Sequence, residues 1–222
     1  MPLFDLNTAR AILENLALLL LATALASVLS RRLASAIALL AVQGILLTAV
    51  AGLVAFTIGG AHAFLAVGLT LLVKVIAVPG ILVVALREVR TRREVEAVLS
   101  KRLALLAAIG LVLVAYYVAG PLAAADGFRT RNALPTAMSV MLIGLFNMMT
   151  RKKALSQVAG LVAMENGLYL GAVVATQGLP LAVELGVAID LLVGVLVMGV
   201  VARQIHRTFD TINTDLLRSL RG

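Results

Sequence analysis

Three ionisable residues sit where an ionisable residue is hard to keep. Glu165 lies at the centre of the apolar stretch "GLVAMENGLYLG", Asp190 within "LAVELGVAIDLLVGVL", and Lys74 within "LAVGLTLLVKVIAVPGIL". A charge at the bilayer centre costs about 2.5–3.5 kcal/mol on insertion scales. Three of them in one apolar chain therefore point to a use, the movement of protons or ions. The alternative is a structural clamp in which Asp190 and Lys74 only neutralise each other. The chemistry favours proton handling, because burial and opposite charge act in opposing directions on carboxyl and amino groups. Such a set in a polar, hydrated interior holds and passes protons near neutral pH. The amides of Gln43 and Asn166 lie in the same kind of surroundings and are secondary members of the set.

Other polar residues carry weaker signals. Glu184 lies about a turn inside the outer end of its span and either takes up protons or reaches the interface. Glu14 and Asn15 sit near the outer end of the first span, where interfacial solvation accounts for them, and His62 fits a solvated position at the outer surface. Asn147 and Gln157 flank a turn and read as capping or interface groups. Pro79, in "KVIAVPGIL", clashes with the carbonyl of Val75 in a regular helix and frees backbone beside Lys74. That kink is either a hydration site or an ordinary proline bend. Nothing accompanies these residues that would make a catalytic or metal centre. The chain has no cysteine, and its two histidines, His62 and His206, stand far apart. Disulfides, thiolate clusters and a histidine-held metal or haem are excluded, no cofactor is expected, and any redox chemistry belongs to partner subunits.

The elements that must position these residues are membrane spans. The 222 residues are 62% hydrophobic and 14% charged, with mean hydropathy +1.07. Soluble domains carry roughly 25% charged residues, so the expected fold is an all-α polytopic bundle in a lipid bilayer. A span needs roughly 20 apolar residues, and seven segments qualify: about 10–29, 33–58, 62–86, 103–121, 131–150, 154–176 and 179–202. The first residues, "MPLFDLNTAR", lack the basic stretch of a cleavable leader. The net charge of +8 is gathered in short clusters between spans, which excludes a nucleic-acid surface. "SRRL", "REVRTRREVEAVLSKR", "RKK" (151–153) and "RQIHR" follow the first, third, fifth and seventh spans. With the N-terminus outside and the C-terminus inside, all four face the cytoplasm. The outer connections "GGAH", "AADGFRTRNA" and "TQGLP" hold only Arg129 and Arg131.

The chain also repeats itself. "QGILLTAV" (43–50) matches "NGLYLGAV" (166–173), and "LAVGLTLLVK" (65–74) matches "LAVELGVAID" (181–190), in the same order and without gaps. Spans 1–3 and 5–7 then share one orientation, a parallel duplication of a three-helix unit with span 4 as connector. This divides the chain into residues 1–102, a connecting helix and outer loop over 103–130, and residues 131–222. The register aligns Lys74 with Asp190, Gln43 with Asn166 and Val42 with Glu165.

The second unit resembles a known family. "RKKALSQVAGLVAMENGLYLGAVV", a further helix with a central acid, and the ending "TDLLRSLRG" look like the K subunit of respiratory complex I. That subunit has three helices with a glutamate on the proton path in each of the last two. Asp190 falls at the last-helix position, acid for acid. Glu165 lies one turn after the family's "GLE" glutamate, whose place is taken by Val162, and a three-residue shift keeps roughly the same helix face. The seven-span layout with a K-like C-terminal half resembles hydrogenase-4 component E, a membrane subunit of group 4 energy-converting hydrogenases and formate hydrogenlyase-type complexes. The resemblance implies a bacterial cytoplasmic (inner) membrane. It also implies antiporter-like and channel-forming membrane subunits as neighbours, with a soluble nickel–iron hydrogenase arm beyond them. Two alternatives stand beside it: a small subunit of a multisubunit cation/proton antiporter, and a non-conducting assembly scaffold. The tail "RQIHRTFDTINTDLLRSLRG" spaces Ile205, Phe209, Ile212, Leu216, Leu217 and Leu220 as an amphipathic helix. Such a helix either lies on the bilayer or docks on a cytoplasmic partner.

Overall fold

The computed structural model describes residues 6–59, 61–88, 98–125 and 132–176, and in the last apolar segment positions 186, 189, 190, 193–195, 197 and 199. Glu184, His206, Arg129, Arg131 and the amphipathic tail lie outside the described residues. The rest is helical: α1 (Leu6–Leu29), α2 (Leu33–Ile58), α3 (Ala61–Leu71), a π turn (Leu72–Ala77), α4 (Val78–Glu88), α5 (Lys101–Ala125), α6 (Ala133–Thr150) and α7 (Ala154–Thr176). There is no strand among the described residues. α3, the π turn and α4 run on as one rod, and six rods are long and apolar enough to cross a membrane. This is a multi-pass membrane protein.

Lipid leaves no water to satisfy a backbone amide, so each crossing segment closes its own hydrogen bonds as a helix. Hydroxyls inside the spans are satisfied the same way: Thr70, Thr48 and Ser139 each donate to the carbonyl four residues earlier at 2.8–2.9 Å. The leucines that look surplus, such as Leu65 and Leu113, are exposed on the outside of the bundle.

Acyl chains are as apolar as leucine, so helices associate by close approach of small residues. α6 and α7 show this most strongly. A Cβ placed on Gly144 would lie 2.2 Å from the Met164 nitrogen, one on Gly160 2.5 Å from that of Met148, and one on Gly167 2.4 Å from that of Met141. The two helices touch backbone to backbone at three points over about two turns. Around this pair α1 packs on α6, α2 on α7, and α2 also on the α3–α4 rod. Gly44 sets the last of these contacts, since a Cβ there would meet the Lys74 carbonyl oxygen at 2.5 Å.

The π turn explains how Pro79 is housed. In an unbroken α-helix its ring would strike the Val75 carbonyl. The chain takes an i→i+5 step just before it, with the Val78 amide bonded to the Val73 carbonyl. Instead of a simple kink, the misfit is absorbed as a widened turn, and Lys74 sits inside that turn.

A second polar knot ties the α6–α7 turn to α1. Arg151 is buried and donates from Nη1 to the Ser30 carbonyl (3.2 Å) and from Nη2 to the Ser27 and Val28 carbonyls (3.1 Å each). These belong to the C-terminal end of α1, where carbonyls run short of intrahelical donors; only the Ser27 carbonyl also accepts a backbone amide, that of Ser30 at 3.2 Å. Burial lowers the guanidinium pKa from its ordinary value, yet arginine stays charged at neutral pH. Asn147 Nδ2 donates to Ser27 Oγ at 2.9 Å and Gln157 Nε2 to the Arg151 carbonyl at 2.9 Å, interface and turn-capping roles respectively. Arg151→Met keeps the stem and removes every donor, so the structure should lose about 1–3 kcal/mol. A fall of several degrees in the melting temperature of the detergent-solubilised protein checks this. Arg151→Lys should recover only part, because one ammonium cannot span three carbonyls.

Candidate functional site

The glycine contacts just described fix the rotation of α7, and that rotation turns Glu165 and Asn166 inward. α2 contributes Gln43 from the residue beside Gly44, the π turn contributes Lys74, and the last segment contributes Asp190. All five side chains are buried, Gln43, Glu165 and Asn166 almost completely. Lys74 Nζ donates to Glu165 Oε2 and, at 3.2 Å, to Asn166 Oδ1. Asp190 Oδ2 stands 3.4 Å from the same nitrogen, an ion pair without a direct hydrogen bond. Asn166 uses its other end as well, donating from Nδ2 to Gln43 Oε1 at 2.9 Å. One lysine is thus held between two carboxylates, and an amide chain steadies it from behind.

The lysine also lies over an aromatic face, 5.2 Å from the centroid of the Tyr169 ring. Tyr169 is buried, with its hydroxyl 2.9 Å from Thr70 Oγ1. Thr70 spends its single hydroxyl proton on the Ala66 carbonyl, so the tyrosine is the donor in this pair. Gly186 leaves the room this needs: a Cβ there would lie 3.2 Å from Glu165 Oε1 and 3.1 Å from the Tyr169 ring.

Several polar atoms here have no hydrogen-bond partner among the described groups: Glu165 Oε1, both Asp190 oxygens and Gln43 Nε2. Buried polar atoms are rarely left unmatched, and ordered water is the usual completion. On its outer side Glu165 borders a cavity of about 520 Å³ between α5, α6, α7 and the last segment, lined otherwise by residues such as Leu122, Met138, Met141 and Leu168.

No family model matches the chain, and neither does any solved structure. Relatives do. An uncharacterized protein of Mycobacterium tuberculosis, Rv0085, is 37% identical over 159 residues, 71% of this chain and 72% of that protein. Hydrogenase-4 component E of Escherichia coli K12 is 31% identical over 149 residues, 67% of this chain and 69% of its own length, and the Shigella flexneri protein matches equally.

The chain belongs to the hydrogenase-4 component E family.

In this member of the hydrogenase-4 component E family, the residues singled out by sequence divide cleanly. Lys74, Glu165, Asp190, Gln43 and Asn166 meet in one cluster. Pro79 follows Lys74 by little more than a turn and is buried. Glu14 is half-buried near the start of α1 and His62 is exposed at the start of α3, and among the described residues neither bonds to the cluster. The lysine pairs first with Glu165 and only more distantly with Asp190, so a clamp of Lys74 with Asp190 alone does not describe the site. Val162, at the position of the K-subunit glutamate, lies in an apolar cluster with Leu82 and Val193. Sequence reasoning missed Thr70 and Tyr169. Each lies four residues from a charged member, the spacing that places side chains on one helix face, and that spacing was the available signal.

Proposed function

We propose that this chain is a non-redox membrane subunit of a complex I-like energy-converting hydrogenase, and that Lys74, Glu165 and Asp190 form part of its proton path. The reading rests on one observation: a single buried lysine between two buried carboxylates drawn from three different helices. A scaffold has no need of three mid-membrane charges, which are costly in lipid and by default mark ion or proton routes. The family name supports membership of a hydrogenase complex; a place in the bacterial cytoplasmic membrane, with antiporter-like and channel-forming subunits beside it and a soluble nickel–iron arm beyond, is part of the same proposal. The clusters of basic residues support a C-terminus in the cytoplasm.

The duplication belongs to the same proposal. Gln43 and Asn166, which the repeat aligns, are hydrogen-bonded to each other, and Lys74 and Asp190, also aligned, are an ion pair. First helices pack on each other (α1 on α6), as do second helices (α2 on α7). Equivalent residues meet where two copies face across a two-fold axis, and this arrangement supports a parallel repeat.

Glu165→Gln and Asp190→Asn test the path, because an amide keeps the shape and cannot carry a proton. Proteoliposomes holding the purified complex should retain its subunit stoichiometry and lose proton uptake by about tenfold or more, since a positioned proton-transfer group contributes roughly 10²–10⁴-fold. Wild-type uptake in both variants leaves only the scaffold.

A further inference from the structure

The cluster leaves two buried polar groups unused. Asn147 and Ser156 are only 6% and 5% exposed, and Asn147 Oδ1 and Ser156 Oγ have no hydrogen-bond partner among the described groups. Both residues line a cavity of about 30 Å³ under the α6–α7 turn, together with Ser27 and Arg151. That volume is enough to hold at least one water, and a buried water needs two to four polar partners. This small cavity offers them, whereas the larger one beside Glu165 does not.

The inner wall of the cavity is Leu40 and Ala163. Leu40 lies three residues before Gln43 on α2, and Ala163 three before Asn166 on α7. On each helix the next position along the same face therefore belongs to the amide pair that holds Lys74. Gln43 Nε2 has no hydrogen-bond partner among the described groups. On α7 the residues lining the cavity are all small: Ser156, Ala159, Gly160 and Ala163. From Ser156 to Asn166 the rise is about 15 Å, of which the apolar step past Ala163 is roughly one turn.

We propose that this cavity is a water-holding vestibule that leads water and protons from the basic α6–α7 turn to the buried lysine–carboxylate cluster. Its ligand is water and not a metal cation, because the lining residues include no carboxylate or imidazole. Leu40 and Ala163 make the throat, and Asn166 with Gln43 receives the water on the far side. Protons travel on the water, since neither amide titrates. The proton role rests on the proposed function above; the water site does not.

Radiolytic footprinting of the purified complex separates the two, because hydroxyl radicals formed from bound water oxidise the side chains beside it. Leu40 should be oxidised far faster than Leu47, which is fully buried on the same helix in the apolar core. In Ser156→Val, which fills the cavity and removes a polar partner, Leu40 oxidation and proton uptake should fall together, uptake by about tenfold or more. Equal protection of Leu40 and Leu47 in the unsubstituted complex overturns the vestibule, whatever Glu165→Gln does to coupling. Wild-type uptake in a Ser156→Val complex whose Leu40 has become protected overturns the route.

Discussion

Replacing Lys74 with methionine is expected to deplete the assembled protein by two to four orders of magnitude at equilibrium, the equivalent of the roughly 3–5 kcal/mol lost when one partner of a buried ion pair is removed. The substitution leaves Glu165 and Asp190 in the space of one cation, with no other cation in the described cluster. Asn166 Oδ1 loses its donor as well. Because the lysine is bonded to Glu165 and more distant from Asp190, Glu165→Gln should rescue Lys74→Met better than Asp190→Asn does. The triple variant removes every charge and should restore most of the assembly while proton movement stays lost. Native gel quantitation of the complex, paired with proton uptake, reads both effects. Wild-type assembly of Lys74→Met alone would show that the three charges are not energetically coupled, and would remove the cluster as the core of the site.

The second large effect is steric. Gly144→Leu should force α6 and α7 apart, because even the first carbon of the new side chain would lie 2.2 Å from the Met164 backbone nitrogen. Backbone cannot step aside as a side chain can. The cost therefore sits at or beyond the top of the roughly 1–3 kcal/mol usual for overpacking. Met164 precedes Glu165, so whatever fraction assembles should carry a displaced carboxylate and reduced coupling. Gly110→Leu is the control: a Cβ there meets nothing within 4 Å, and near-normal assembly is expected. Equal losses in the two variants would count against the close α6–α7 contact.

The spans were legible because lipid permits so few solutions. Apolar runs such as 33–58 and 154–176 coincide with α2 (Leu33–Ile58) and α7 (Ala154–Thr176). The charged residues were legible because they are so rare in such segments, and Gln43 and Asn166 because the proposed repeat places them in register. Which acid receives the lysine was not. That depends on the rotation of α7, fixed by Gly144, Gly160 and Gly167, and helical periodicity in a uniformly apolar span does not encode rotation. Pro79 announced a disturbed backbone, but a kink and a π turn satisfy the same steric demand, and the sequence does not choose between them. Arg151 counted in sequence as a loop charge; its grip on the end of α1 depends on a contact more than 120 residues away.

Lys74 and Glu165 are 91 residues apart, which matters for the order in which the membrane receives them. At about 5–20 residues per second, the ribosome makes the lysine roughly 5–20 s before the glutamate. The third span must therefore partition into the bilayer with its ammonium alone, against about 2.5–3.5 kcal/mol on insertion scales. The most apolar 18-residue stretch of that span, Ala61–Arg87, has a mean hydropathy of 2.6, the highest such value among the six described spans, while that of the span carrying Glu165 reaches only 1.5. The surplus of apolar residues around Lys74 lets it enter unaccompanied. The glutamate arrives later, into a bilayer that already holds its counter-charge, and its helix can be correspondingly more polar.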